Sequence, residues 1–272
     1  MIFSERLLNT IKRNNSHICV GLDTDLEFLQ KDSGNALEEF RNFNSPIIDA
    51  TFDKAGAYKM NLAFYAAYGL EGYKAIIETV KYIKSKDPEA IVLADCKRSE
   101  MKRTAELSAK EIFVHFGFDG MVTTPWFGYD TVEPYGAYPD RGIFILCHDS
   151  NPTAGELQDA ELKDGRRLYE YLTERVTNHW GKLGNIHIEG PLTYPDILKR
   201  ILEIGKPDQA YLAAGLGSQG GKIEDLAMFK NYPNFVVNAS RSILYASTGP
   251  DFAEAAGKQT EEYRIKINEV LQ

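Results

Sequence analysis

The chain has 272 residues, 43% hydrophobic and 26% charged, a balance that supplies one large core and excludes a disordered or fibrous chain. Its net charge of -8 argues against nonspecific nucleic-acid binding, which needs a basic surface, but leaves room for a small anionic ligand at a locally positive site. No apolar run approaches the roughly 18 residues of a membrane span, and the opening MIFSERLLNTIKRNNS carries Glu5, Arg6, Lys12 and Arg13 where a signal peptide would be apolar, so a cytoplasmic protein away from the membrane is expected.

Short, apolar, β-branched runs then recur in chain order. HICVGLD (17–23) ends in Asp23, and AGAYKMN (55–61) carries Lys59 and Asn61. Apolar residues three and four apart predict a helix over 65–86. AIVLADCK (90–97) ends in Asp95 and Lys97, and a helix is predicted over 102–116. After GMVTTP (120–125), the 126–141 stretch contains Pro134, Gly136 and Pro139 and holds at most a short helix. GIFILCH (142–148), a helix over 162–182, NIHIEGP (185–191) and a helix over 194–205 follow. YLAAGLG (211–217), FVVNAS (235–240) and a helix over 250–271 complete the series.

Eight strands alternating with helices imply parallel pairing by right-handed crossovers, and that repeat closes a (β/α)8 TIM barrel, read here as a single domain over 1–272. A doubly wound open sheet is the alternative. It would place GxGxxG after the first strand, whereas GLGSQGG (215–221) follows the seventh and misses that spacing. The three cysteines, odd in number and within or just after strand-like runs, read as reduced core thiols, with a reactive Cys96 beside Lys97 as the lesser alternative. Five scattered histidines show no metal or triad spacing, and His148 is read as structural.

A barrel does its chemistry where strands end, and phosphate is commonly held after strands seven and eight. GLGSQGG offers glycine backbone N–H groups to an anion at a helix start, and NASRSI places Arg241 as a bidentate phosphate donor. The bland alternative is a plain turn and a solvated arginine. Asp23, Lys59, Asp95 and Lys97 end the first three strands, so the barrel would gather two carboxylates and two ammonium groups at one mouth. Asp95 and Lys97, two apart, would point to the same side of an extended strand.

These residues carry a resemblance. CVGLDTD (19–25), AYKMNLAFYAAYG (57–69), DCKRSE (95–100), GSQGG (217–221) and NASRSILYAS (238–247) resemble, in order and spacing, orotidine 5'-phosphate decarboxylases of the longer bacterial form. The resemblance implies a reaction without cofactor or metal, in which orotidine 5'-phosphate becomes UMP and CO2 in pyrimidine biosynthesis. Asp95 would lie beside the departing carboxylate, Lys97 would protonate C6, Lys59 would pair with Asp95, and Asp23 would bind ribose hydroxyls. Ser150 would face the pyrimidine edge, Gln219 and Arg241 would hold the phosphate, and Asn61 and Gly220 are further substrate-binding positions. Glu100 and Thr104 would reach into a partner's site, which implies a homodimer.

The sequence departs from the family pattern around the pocket. Glu100 stands for the usual Asp, Ser99 for Gly, Met101-Lys102-Arg103 for Ile-Gly-Asn, Met60 for Pro, Asp149 for Thr and Ala214 for Pro, with Thr124 and Trp126 altering the loop after strand four. Two alternatives therefore stand: a relative acting on another uridine-like nucleotide with the same Asp/Lys cluster, or a nucleotide-binding barrel without catalysis. An Asp/Glu metal site at the mouth is disfavoured because Lys59 stands where sugar-phosphate relatives usually carry Glu.

Overall fold

Eight strands pair in parallel in chain order, and β1 pairs with β8 to close the barrel. They are β1 (Ile18–Gly21), β2 (Ala57–Asn61), β3 (Val92–Arg98), β4 (Gly120–Thr123), β5 (Gly142–Leu146), β6 (Ile186–Pro191), β7 (Tyr211–Ala214) and β8 (Phe235–Ala239). The computed structural model describes residues 1–29 and 34–272. Each strand is covered outside by helices and filled inside by its neighbours, which is why the runs are apolar almost without interruption.

The helices are α1 (Phe3–Asn14), α2 (Ala36–Thr51), α3 (Leu62–Ala66), α4 (Gly69–Lys86), α5 (Lys102–Ala109), α6 (Tyr129–Gly136), α7 (Gly155–Gln158), α8 (Leu168–Asn178), α9 (Pro195–Ile204), α10 (Arg241–Leu244) and α11 (Phe252–Leu271). The helix expected over 65–86 is two. Gly69 takes a left-handed φ of 57°, and a Cβ at Gly72 would lie 1.7 Å from the Tyr65 carbonyl oxygen, so α4 packs directly back on α3. The periodicity over 102–116 is α5 continued as a π-helical turn, Lys110–His115. Residues 162–167 are not helical. Glu161 and Arg167 form an antiparallel bridge around a turn in which Gly165 has φ 83°, and the helix starts only at Leu168.

The end of the barrel away from the C-terminal strand ends is closed. α1 buries Phe3, Leu7 and Ile11 beneath an inner layer that includes Cys19, Ala57, Leu93, Val122, Phe144 and Leu212. A Cβ at Gly142 would sit 2.4 Å from the Phe3 ring, so glycine is needed there for the plug to enter. Asp119, buried at that end, accepts from the Val92 N–H and is paired with Arg6, with Lys84 at 2.7 Å and with Arg141 at 3.5 Å. This cluster is saturated by its own cations and serves closure, leaving the opposite mouth for chemistry.

Candidate active site

Alternation along the strands turns Lys59 and Asp95 into the barrel, one layer above the apolar plug. Lys59 Nζ lies 2.7 Å from Asp95 Oδ2 and 3.7 Å from Asp23 Oδ1, and Lys97 Nζ lies 2.6 Å from Asp95 Oδ1. Asp95 therefore holds one lysine on each oxygen. Asp23 is fixed by the Asn61 N–H at 2.9 Å and the Ser240 hydroxyl at 2.7 Å, while Asn61 caps α3 through its side-chain oxygen.

Lys97 does not reach Asp95 by simple strand alternation. Its φ is 45°, a left-handed value that costs a non-glycine residue about 1–3 kcal/mol, and the β3–β4 register slips between Asp95 and Arg98. This bulge re-aims the lysine over the mouth, a common use of bulges beside functional sites.

The ion cluster sets its own protonation. Burial is the largest influence on Lys59 and opposes its charge, yet Asp23 and Asp95 outweigh it and hold the ammonium above the ordinary lysine range. For Asp95, burial works against the carboxylate, but Lys59 and Lys97 hold the acid below its usual range. Burial likewise opposes the Lys97 charge, and Asp95 and Glu189 hold it above the ordinary lysine value. Both lysines are thus charged at neutral pH. The thiols are inert: burial pushes Cys96 up to about 11 and Cys147 up to about 12, which rules against a reactive Cys96.

The mouth opens into a cavity of about 740 Å³, a size suited to a nucleotide. It gathers Asp23, Lys59, Asn61, Asp95, Lys97, Ser150, Gln219 and Arg241 from distant parts of the chain, all of them named from the sequence. The Ser150 hydroxyl donates to Gln219 Oε1 at 3.0 Å, so that the two side chains are joined along the cavity wall. Arg241 lies at the rim on α10, and among the described residues no carboxylate is within 4 Å of it.

Other placements differ from the sequence reading. In the loop after β7, Gly217 N–H donates to Gly221 O, Gly220 N–H to Gly217 O and Gly221 N–H to Gly215 O. The glycine N–H groups thus close the turn on itself, no α-helix starts there, and Gly220 lies off the cavity wall; from the loop, Gly215, Leu216, Ser218 and Gln219 line the cavity, and Ser218 and Gln219 are its polar side chains there. Glu100 and Thr104 are exposed and do not line the cavity of their own chain. Lys102 pairs with Glu133 and Arg103 with Glu106 on the surface, while Trp126 is 45% exposed outside the cavity. His148 is buried between Tyr169 and Tyr194, as its structural reading requires.

Sequence reasoning missed Glu189, on β6, which is 3% exposed and lines the cavity opposite the lysines. The signal was available: an acid inside the buried strand NIHIEGP has no place in a plain parallel strand. Asp149, noted from the sequence only as a departure, also lines the cavity; its carboxylate accepts the Ser150 N–H at 2.7 Å.

Chemically, the mouth offers a buried ammonium, Lys59, and a partly exposed, fixed one, Lys97, on either side of a buried carboxylate, with a hydrogen-bonding and cationic rim beyond. Such an arrangement stabilises a developing anion and supplies it with a proton. A sequence profile described as the orotidine 5'-phosphate decarboxylase / HUMPS family matches residues 16–256. The chain is 38% identical over 274 residues to a protein of Roseiflexus castenholzii named orotidine 5'-phosphate decarboxylase, covering 100% of this chain and 99% of that one. A protein of the same name from Herpetosiphon aurantiacus is 35% identical and covers 97% of each chain. The structure of Leishmania donovani OMP decarboxylase superposes with a TM-score of 0.80 at 28% identity, over 98% of this chain and 99% of that one.

Proposed function

The chain belongs to the orotidine 5'-phosphate decarboxylase / HUMPS family, and from that premise we propose that its barrel mouth converts orotidine 5'-phosphate to UMP and CO2 with its own side chains. The observation that carries the reading is the Lys59–Asp95–Lys97 chain of contacts, 2.7 and 2.6 Å long, at the floor of a nucleotide-sized cavity. The C6–carboxylate bond breaks with its electron pair left on C6, CO2 departs, and Lys97 gives C6 a proton that it recovers from solvent. Asp95 presses on the substrate carboxylate and fixes Lys97, and Lys59 fixes Asp95. The two ammonium groups supply the positive charge that the developing anion needs, so the proposed reaction draws on no metal or cofactor. Asp23 and Asn61 face the ribose, and Ser150 the base.

A homodimer in the cytoplasm completes the proposal. Met101, Leu107 and Phe127 are more than half exposed, and Trp126 nearly so; Met101 and Leu107 flank Glu100 and Thr104 around the start of α5, and residues 126–127 precede α6, which packs against α5. A surface with so many exposed large apolar side chains fits a protein contact, and a second copy placed there would bring Glu100 and Thr104 to its partner's cavity.

Gln219 and Arg241 are proposed to hold the phosphate. Substrate binding at that remote end supplies the energy that forces the C6 carboxylate against Asp95. Arg241→Ala removes a charge-assisted contact of about 1.5–3 kcal/mol. UMP binding, followed by calorimetry, should weaken roughly tenfold or more, with the weak binding of uridine nearly unchanged. Equal losses for the two ligands would assign Arg241 to the fold instead.

A further inference from the structure

Three carboxylates are fully or nearly buried among the described residues: Asp95, Asp119 and Glu189. The first two are paired with cations, whereas, among the described residues, Glu189 Oε2 has no hydrogen-bond partner and no cation lies within 4 Å of its carboxylate. Its direction follows from its strand. His187, two residues earlier on β6, packs inside the barrel against Phe3 and Phe144, so alternation turns Glu189 inward one layer higher. There it faces Lys59 from β2, Asp95 and Lys97 from β3, Asp149 after β5, and the thiols of Cys19 and Cys147.

The charge around that position is crowded. Asp23, Asp25, Asp95, Asp149 and Glu189 line a cavity whose cations are Lys59, Lys97 and Arg241. The proposed substrate adds a phosphate and a C6 carboxylate. Like charges lining one cavity are not all retained, and the acid that is both buried, at 3% exposure, and without a partner is the one that keeps a proton.

We propose that Glu189 is a further substrate-binding residue that works as a neutral carboxylic acid, donating a hydrogen bond from the cavity floor to the C6 carboxylate and holding it against Asp95. The inference rests on the reading of the site as an orotidine 5'-phosphate decarboxylase. Burial, reinforced by Asp95 and Asp149 and opposed by Lys97 and Lys59, pushes the Glu189 carboxyl up to about 8. An ionised Glu189 would repel the incoming carboxylate, so binding above that pH requires proton uptake, and the substrate's own charge raises the acid further.

The test compares pH profiles of kcat/KM for the parent and Glu189→Gln, whose amide keeps the size and a donor but does not titrate. The parent should fall about tenfold per pH unit above about 8. Glu189→Gln should stay within about tenfold of the parent at pH 6.5 and lack that descent. Superimposable descents in the two proteins overturn the inference. Stability gives a second readout, because the folded-state value lies above the ordinary 4.5. The stability that Glu189 contributes is complete below pH 4.5 and lost as pH rises through about 8. The melting temperature of Glu189→Gln should therefore gain on the parent's between those limits, and a constant difference contradicts the proposal. If the variant does not fold, infrared spectroscopy of the parent at pH 7 should show the carbonyl stretch of a buried protonated carboxyl, and its absence overturns the inference. A parent that never turns over orotidine 5'-phosphate but shows the band would instead defeat the functional reading and leave the protonated Glu189 standing.

Discussion

Lys97→Ala should lower turnover of orotidine 5'-phosphate by about ten-thousandfold, the upper range for loss of a positioned proton donor, while UMP binds within about tenfold of the parent. The asymmetry comes from where Lys97 stands. Its Nζ is fixed 2.6 Å from Asp95 by a left-handed backbone and a bulge, so its charge is arranged before the carbanion forms and costs no reorganisation when it does. UMP carries no C6 carboxylate and asks little of that ammonium. The fold should survive, because Asp95 keeps its other oxygen on Lys59 at 2.7 Å. Single-turnover absorbance measurements and UMP titration check both halves. A variant retaining half its turnover would remove Lys97 from the role of proton donor.

Glu100→Gln should lower kcat/KM by about a hundredfold or more, whereas Glu100→Asp keeps or raises it. Gln keeps the length and deletes the charge, and Asp keeps the charge and restores the family's usual length, so the pair separates charge from reach. Glu100 is exposed and does not line its own chain's cavity, which is why its action is assigned to a partner's site. Subunit mixing tests that assignment. A heterodimer of Lys97→Ala and Glu100→Gln has one site with both substitutions and one with neither, so mixing two impaired proteins should restore activity. If Glu100 served its own chain, each site would carry one lesion and mixing would restore nothing. A Gln variant as active as the parent would take Glu100 out of the ion network altogether.

The barrel was legible because each strand is buried on both faces, so apolar runs such as AIVLAD and GIFIL stand out and recur at a steady spacing. α1 and α2 were not anticipated. Their apolar stripes are interrupted by charged and polar residues, and α1 precedes the first strand and so lies outside the strand–helix alternation, although Phe3 proves to be the plug of the barrel. The periodicity over 65–86 and 162–182 overran the real helices, since a hydrophobic period does not register the backbone turn made at Gly69 or Gly165.

In the site, Asp23, Lys59 and Asp95 were readable as charges ending apolar strands, and β-barrel closure does bring them together. The means by which Lys97 joins them was not readable, because a single left-handed residue within a strand leaves no mark in composition. The glycine loop misled for a related reason. GLGSQGG announces an unusual backbone, but the sequence does not say whether its N–H groups turn to a ligand or to one another, and they turn to one another. Glu189 was overlooked beside the louder charges of DCKRSE, although a buried strand acid is the rarer observation.

The most direct test of the account is to incubate the purified chain with orotidine 5'-phosphate in EDTA and follow the loss of pyrimidine absorbance together with release of UMP and CO2. Because the proposed positive charge comes from Lys59 and Lys97, the account predicts stoichiometric UMP and CO2 at a rate that chelation does not change. Complete loss of activity on chelation, restored by a divalent ion, would contradict it.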